Sequence, residues 1–176
     1  WYYSEMNNQH YMLERFYMKP ILKSQKEALN LEVDIHNVKY HALICPDSKD
    51  KLSKFKNKVL KYIEDAEAIG LDKRPSVQGR NNWYDLSNIG VAGDFIFPSK
   101  IGERFRLIDN RKSQVYCDKV NYVIKVKEEY QQYSDIIFLI LNSITFRYFV
   151  DLFARQLTGN HTLSDVDVNI VEKTLI

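Results

Sequence analysis

Between residues 94 and 126 the chain holds four short pieces rich in β-branched and aromatic residues, each closed by residues that favour turns, and this pattern limits the fold more than any other feature. The pieces are 94–97, 104–108, 114–117 and 122–126, with Pro98, Gly102, Asp109-Asn110 and Lys119 between them. Runs of this length and punctuation read as strands joined by tight connections, and an antiparallel meander is the simplest arrangement. A small sheet cannot close a core by itself, so helices must cover it.

Two helical patterns are present. Over 50–69 the apolar residues Leu52, Phe55, Val59, Ile63, Ala66 and Ile69 recur every three or four positions on one stripe; Asp47 or Ser48 is placed to cap the start and Gly70 to end it. Lys49, Lys51, Lys54, Lys56, Lys58 and Lys61 fall on the outer face and read as a solvated surface. The second pattern starts at Ser134, an expected N-cap followed by Asp135, and runs to about Leu157 with Gly159 as a stop; apolar residues on all sides predict a central, covered helix. Residues 38–45 alternate before Pro46 and read as a strand, whereas 71–93, with Pro75, Gly79, Gly90 and Gly93, read as irregular. Residues 166–171 form a short alternating piece. The expected class is α+β: a small mixed or antiparallel sheet with a long buried C-terminal helix.

At 176 residues, with 45% hydrophobic and 27% charged residues, the chain has globular composition and enough material for one core. Cys45 and Cys117 stand far apart, without zinc or disulfide spacing or an apolar leader, which points to a reducing, cytoplasmic setting. The longest apolar run, 136–141, is followed on the same pattern by Arg147, Asp151 and Arg155, so no membrane span is expected. The chain opens on Trp1, and we read it as a fragment of something longer.

Net charge is only +2, and its distribution says more than its sum. Residues 1–72 hold 11 Lys/Arg against 11 Asp/Glu, residues 73–112 hold 8 against 4, and residues 113–176 hold 6 against 8. Five of the eight arginines, Arg74, Arg80, Arg104, Arg106 and Arg111, lie in the middle stretch. Their planar fork suits phosphate and the guanine edge.

No catalytic constellation accompanies them. His10, His36, His41 and His161 show no metal-ligand spacing with carboxylates, and neither cysteine lies in a nucleophile signature. Phosphate-cradling and dinucleotide-binding glycine loops are absent. Pro46-Asp47 could open a nuclease site, but the required later acidic residue and lysine do not follow.

The order of motifs from Lys19 onward resembles the C-terminal target recognition domain of type IIG restriction-modification enzymes and N6-adenine DNA methyltransferases. The resemblance rests on YMKPILKS (17–24), similar to a hinge leaving a catalytic core; the strand VKYHALIC; the helix end KYIEDAE; RPSVQGRNNWYDL (74–86); FIFPSKIGERFRLID (95–109), like a recognition hairpin; and the helix beginning Leu141-Asn142-Ser143. It implies residues 1–30 as a joint or hinge from a missing catalytic domain and 31–176 as a domain recognising double-stranded DNA. The catalytic methyltransferase domain of the same polypeptide or complex is the implied partner. S-adenosylmethionine would be held by that parent enzyme and not by this chain, which also lacks the adjacent prolines of the tetrapeptide that grips a flipped adenine. The family's hairpin further implies Glu103, Arg104 and Arg106 as base readers. Asn110 and Gln114 are further base-reading candidates; Arg74, Arg80, Lys100, Arg111 and Lys112 are candidates for backbone contacts, and Trp83 and Tyr84 for stacking. No residue is assigned to catalysis or to a metal.

The competing reading is a protein-interaction or subunit-docking module. With the cofactor motifs missing, equilibrium dialysis of the chain with labelled S-adenosylmethionine should show no saturable binding at micromolar concentrations; saturable binding would place cofactor chemistry in this chain.

Overall fold

The computed structural model describes residues 1–5, 7–28, 30–87, 90–101 and 105–153, together with the backbone pairing of 155–156 and 164–165. The chain forms two compact units: Trp1–Pro20 with His41–Gly90, and Ile21–Tyr40 with Val91–Ile176. The stretch expected as a hinge, 1–30, is divided between them.

In the first unit, β1 (Tyr2–Ser4) and β2 (Gln9–Tyr11) form an antiparallel hairpin in which Tyr2 faces Tyr11. β3 (Met18–Leu22) lies beside β4 (Tyr40–Leu43), the strand expected over 38–45. Two helices follow, α1 (Lys49–Lys54) and α2 (Val59–Ala68), where the spacing predicts one. Ser48 caps α1, its hydroxyl accepting from Lys51 N, and Gly70 ends the helical stretch at φ +77°, a conformation suited to glycine.

The break has a local cause and a distant one. Lys56 adopts φ +54°, while Lys56 N bonds Ser53 O and Asn57 N bonds Leu52 O, closing α1 with a Schellman-type turn. α2 is then started by Glu14, whose carboxylate accepts from Lys58 N (2.6 Å) and Val59 N (3.1 Å). Phe55, expected on the buried stripe, points to solvent. Leu52, Val59 and Ile63 are buried with Tyr17, Met18, Leu43, Cys45 and Tyr84. Three of the six lysines of the outer face are ion-paired within the unit, Lys49 to Glu67, Lys51 to Asp47 and Lys61 to Asp65.

The second unit is built on β5 (Phe95–Pro98). It is followed by β6 (Lys100–Ile101), β7 (Ile108–Asp109), β8 (Tyr116–Cys117) and β9 (Asn121–Ile124). β5 is the middle strand between β7 and β9, both antiparallel to it. The simple meander does not form: β8 leaves this sheet and pairs in parallel with the end of β3, Ile21 opposite Tyr116. Phe95 and Phe97 face one core with Leu107, Leu141, Phe146 and Val150; Ile96 faces another with Leu22, Val33, Ile108 and Val115. A Cβ on Gly93 would lie 2.0 Å from Val123 Cγ1 and 2.8 Å from Ile124 O, so the strand can be entered here only by glycine.

In place of a single long C-terminal helix there are α3 (Ser134–Leu141) and α4 (Ile144–Phe153), with a 70° bend at the break. Asn142 and Ser143 make the bend. Asn142 Oδ1 accepts from Leu107 N at 2.8 Å, and Ser143 Oγ caps α4 by accepting from Phe146 N at 3.1 Å. Ser134 is the first residue of α3, its hydroxyl donating to Gln131 O, and Asp135 occupies the first turn as expected. Coverage is one-sided, since Ile136, Leu139, Ile144 and Leu152 are exposed. No single described helix is long and apolar enough to cross a membrane. β10 (Arg155–Gln156) and β11 (Ser164–Asp165) complete a small antiparallel ladder with β6.

Two substitutions test the helix break with opposite signs. Glu14→Ala should destabilise by about 1 kcal/mol through loss of a cap, and Lys56→Gly should stabilise by about 1 kcal/mol through relief of the left-handed conformation; urea denaturation reads both.

Candidate nucleic-acid interface

A half-open cleft of about 690 Å³ lies within the second unit. One wall is the turn 24–28. Ser24 and Glu27 form a capping box there, Ser24 Oγ accepting from Lys26 N and Glu27 Oε1 from Ser24 N. The other wall is where β5 and β9 meet, Pro98 opposite Asn121, and Ser99 closes it by donating both N–H and hydroxyl to Val120 O. Arg106 ties the first wall down: its Nη2 donates to Gln25 O (2.8 Å) and Ala28 O (2.5 Å). Of the ten described residues lining the cleft, Lys26, Lys100 and Arg106 are cations and none is a carboxylate.

Of the residues expected to contact DNA, Lys100 and Arg106 are brought together here. Glu103 and Arg104 lie outside the described residues. Arg111 sits in a bidentate grip with Asp109 (Nε–Oδ1 3.0 Å, Nη2–Oδ2 2.5 Å), bonds Asp135 Oδ1 at 2.7 Å, and lies 5.3 Å from the centre of the Phe95 ring. Two carboxylates thus balance its charge. Lys112 is exposed beside Glu32 at 3.4 Å. Gln114 is exposed at φ +48°, its amide nitrogen bonding Asn110 O and Arg111 O. Arg74 is exposed in the first unit, and Arg80 reaches Asp85 O at 3.5 Å.

Two assignments give way to structural ones. Asn110 is 0% exposed; its amide donates to Gly93 O and Val115 O at 2.9 Å and accepts from Val115 N, so it locks the turn from inside and has no edge to offer a base. Tyr84 is buried with its hydroxyl on Asp47 O at 2.8 Å, which leaves no ring face for stacking. Trp83 is half-buried, edge-on to Tyr84, with Nε1 bonded to Glu67 Oε1 at 2.8 Å.

Sequence reasoning passed over Gln25, Lys26 and Asn121. Gln25 and Lys26 fell in the stretch read as a hinge, and Asn121 sat in a turn with no recognisable signal. Both thiols are raised to about 11 by burial, which keeps them protonated at neutral pH. Among the described residues no group of His, Cys, Asp and Glu could hold a metal ion.

Residues 6–159 match the family described as type II methyltransferase M.Eco57I, C-terminal domain. The chain belongs to that family. The match takes in the cleft, the central sheet and both C-terminal helices α3 and α4. No curated protein and no solved structure matches the chain. The family is a C-terminal domain of type II methyltransferases, in agreement with the restriction-modification resemblance carried by the chain's motifs.

The Arg111 grip yields a pH prediction. Burial raises the Asp109 carboxyl, but the bonds from Arg111 outweigh it and hold the group below the usual carboxylate range. The stabilisation is therefore present above the unfolded value, about 4, and is lost as pH falls through the folded one. Asp109→Asn should cost about 1–3 kcal/mol at neutral pH, and its difference from wild type should shrink below about pH 4 in denaturation measured across pH.

Proposed function

We propose that the chain recognises double-stranded DNA in sequence-specific fashion for a DNA adenine-N6 methyltransferase of the type IIG kind, whose catalytic domain binds S-adenosylmethionine and, in some parents, is joined to an endonuclease. The observation that carries this reading is a cleft bearing three cations, with no carboxylate among its described lining residues, in a methyltransferase C-terminal domain. A duplex is held by neutralising its phosphates, and side chains gathered on one concave surface do this more effectively than the same charges scattered. Lys100 and Arg106 act in the cleft; Lys112, Gln114, Arg74, Arg80 and Trp83 remain candidates for contacts outside it, and Glu103 and Arg104 remain candidates for reading bases.

One observation favours a docking role instead, the exposed apolar residues of α3 and α4. Salt separates the two readings, because phosphate contacts release counterions and apolar docking does not. Binding of the chain to a randomised duplex should weaken with salt at a log–log slope of roughly −3 to −5, and Lys100→Ala should make that slope shallower by about one. Affinity indifferent to salt, or no affinity at low salt, would contradict the DNA reading.

A further inference from the structure

The outer faces of α3 and α4 are apolar and open to solvent. Both helices turn their inner faces to the core over Phe95 and Phe97, α3 through Leu141 and α4 through Phe146 and Val150. Ile136, Leu139 and Ile140 recur on the opposite side of α3 at the spacing of one helical stripe, and all three are exposed. On α4 the stripe Ile144, Tyr148 and Leu152 lies opposite the buried pair, with Phe149 and Phe153 beside it, again exposed. The charged residues of the two helices are Asp135, which bonds Arg111, and the pair Arg147 and Asp151 along one flank of the α4 stripe.

An aromatic side chain covers about 150–250 Å², and Leu or Ile somewhat less. Exposures from 44% at Phe149 to 84% at Ile144 therefore leave roughly 800 Å² of these eight side chains in water. The largest apolar patch of a monomer measures about 300–600 Å², whereas each partner in a stable protein interface contributes about 800 Å². The face has the size of an interface.

Arg147 and Asp151 indicate what covers it. They meet within one chain at 3.5 Å and both keep exposed surface. When α4 lies antiparallel to α4 of a second copy, about a two-fold axis at Tyr148, the charged flanks of the two helices fall on the same side. Arg147 of each copy then faces Asp151 of the other, Ile144 meets Leu152, and Tyr148 meets Tyr148. The stripe is complementary to itself in both charge and apolar content. We propose that the α3–α4 face is a symmetric dimer interface between two copies of this chain, with α4 packed against α4. The inference does not depend on the DNA reading: Ala28, at the end of the cleft's turn, packs with Ile96 on the other side of β5.

Sedimentation of the chain without DNA tests it. Wild type should pass from monomer to dimer across the micromolar range. Tyr148→Ala, at the centre, should raise the dimer dissociation constant about thirtyfold, as for a central hot spot. The decisive arm is a mixture. Arg147→Asp makes the flank wholly acidic and Asp151→Arg makes it wholly basic, so each variant alone should dimerise about tenfold more weakly than wild type. Mixed in equal amounts, they should form a heterodimer of near wild-type affinity, because the acidic flank of one meets the basic flank of the other. Like charges within each helix are the same before and after mixing. A merely structural role for the pair would therefore give no rescue, and this arm decides even if Tyr148→Ala unfolds the chain. A wild-type chain that stays monomeric throughout, or a mixture that associates no more tightly than its components, would overturn the proposal.

Discussion

The second unit depends on the complete burial of β5. Phe95, Ile96 and Phe97 are each 0% exposed, and because side chains alternate along a strand, the two phenylalanines fill one core and the isoleucine the other. A strand buried on both faces fixes its register strictly, since a slip of one residue would exchange the two sets. That register places Pro98 against Asn121 at the strand's end, and the cleft opens there. The cleft wall is thus a consequence of core packing several residues away.

Polar residues brace the same strand from its entry. Asp94, 5% exposed, accepts from Val126 N at 2.7 Å and lies 3.3 Å from Lys125 Nζ, while its carbonyl accepts from Asn110 N. Asn110 closes the turn after β7, and Arg111 spans Asp109, Asp135 and the Phe95 ring. Buried polar groups must find partners, and this cluster does so almost entirely within itself. Side chains of the type that bind nucleic acid, Asn110 and Arg111, are consequently absorbed into the frame.

What the sequence made legible was local. The Ser48 cap, the left-handed Gly70, the strand at 95–98 and the α+β class all follow from short-range patterns, and the motifs 17–24 to 141–143 pointed to the family that the chain matches. The breaks were not legible in periodicity, because α2 begins on a carboxylate contributed by Glu14 and the bend after α3 is fixed by Asn142 holding Leu107 N. The parallel pairing of β8 with β3 joins segments far apart in sequence, which turn residues cannot announce. For the cleft, Lys100 was legible as a local cation and Arg106 as part of the hairpin; Gln25 and Asn121 reach it from segments that only the fold unites.

On the DNA reading, duplex occupies the cleft of the second unit, while the lysine-rich helical face of the first unit remains solvated. Amine-reactive footprinting of the chain with and without randomised duplex, read by mass spectrometry, addresses it residue by residue. DNA should shield Lys26 and Lys100 from modification and leave Lys54 and Lys56 as reactive as before. Shielding of Lys54 and Lys56 with Lys26 and Lys100 unaffected would contradict it.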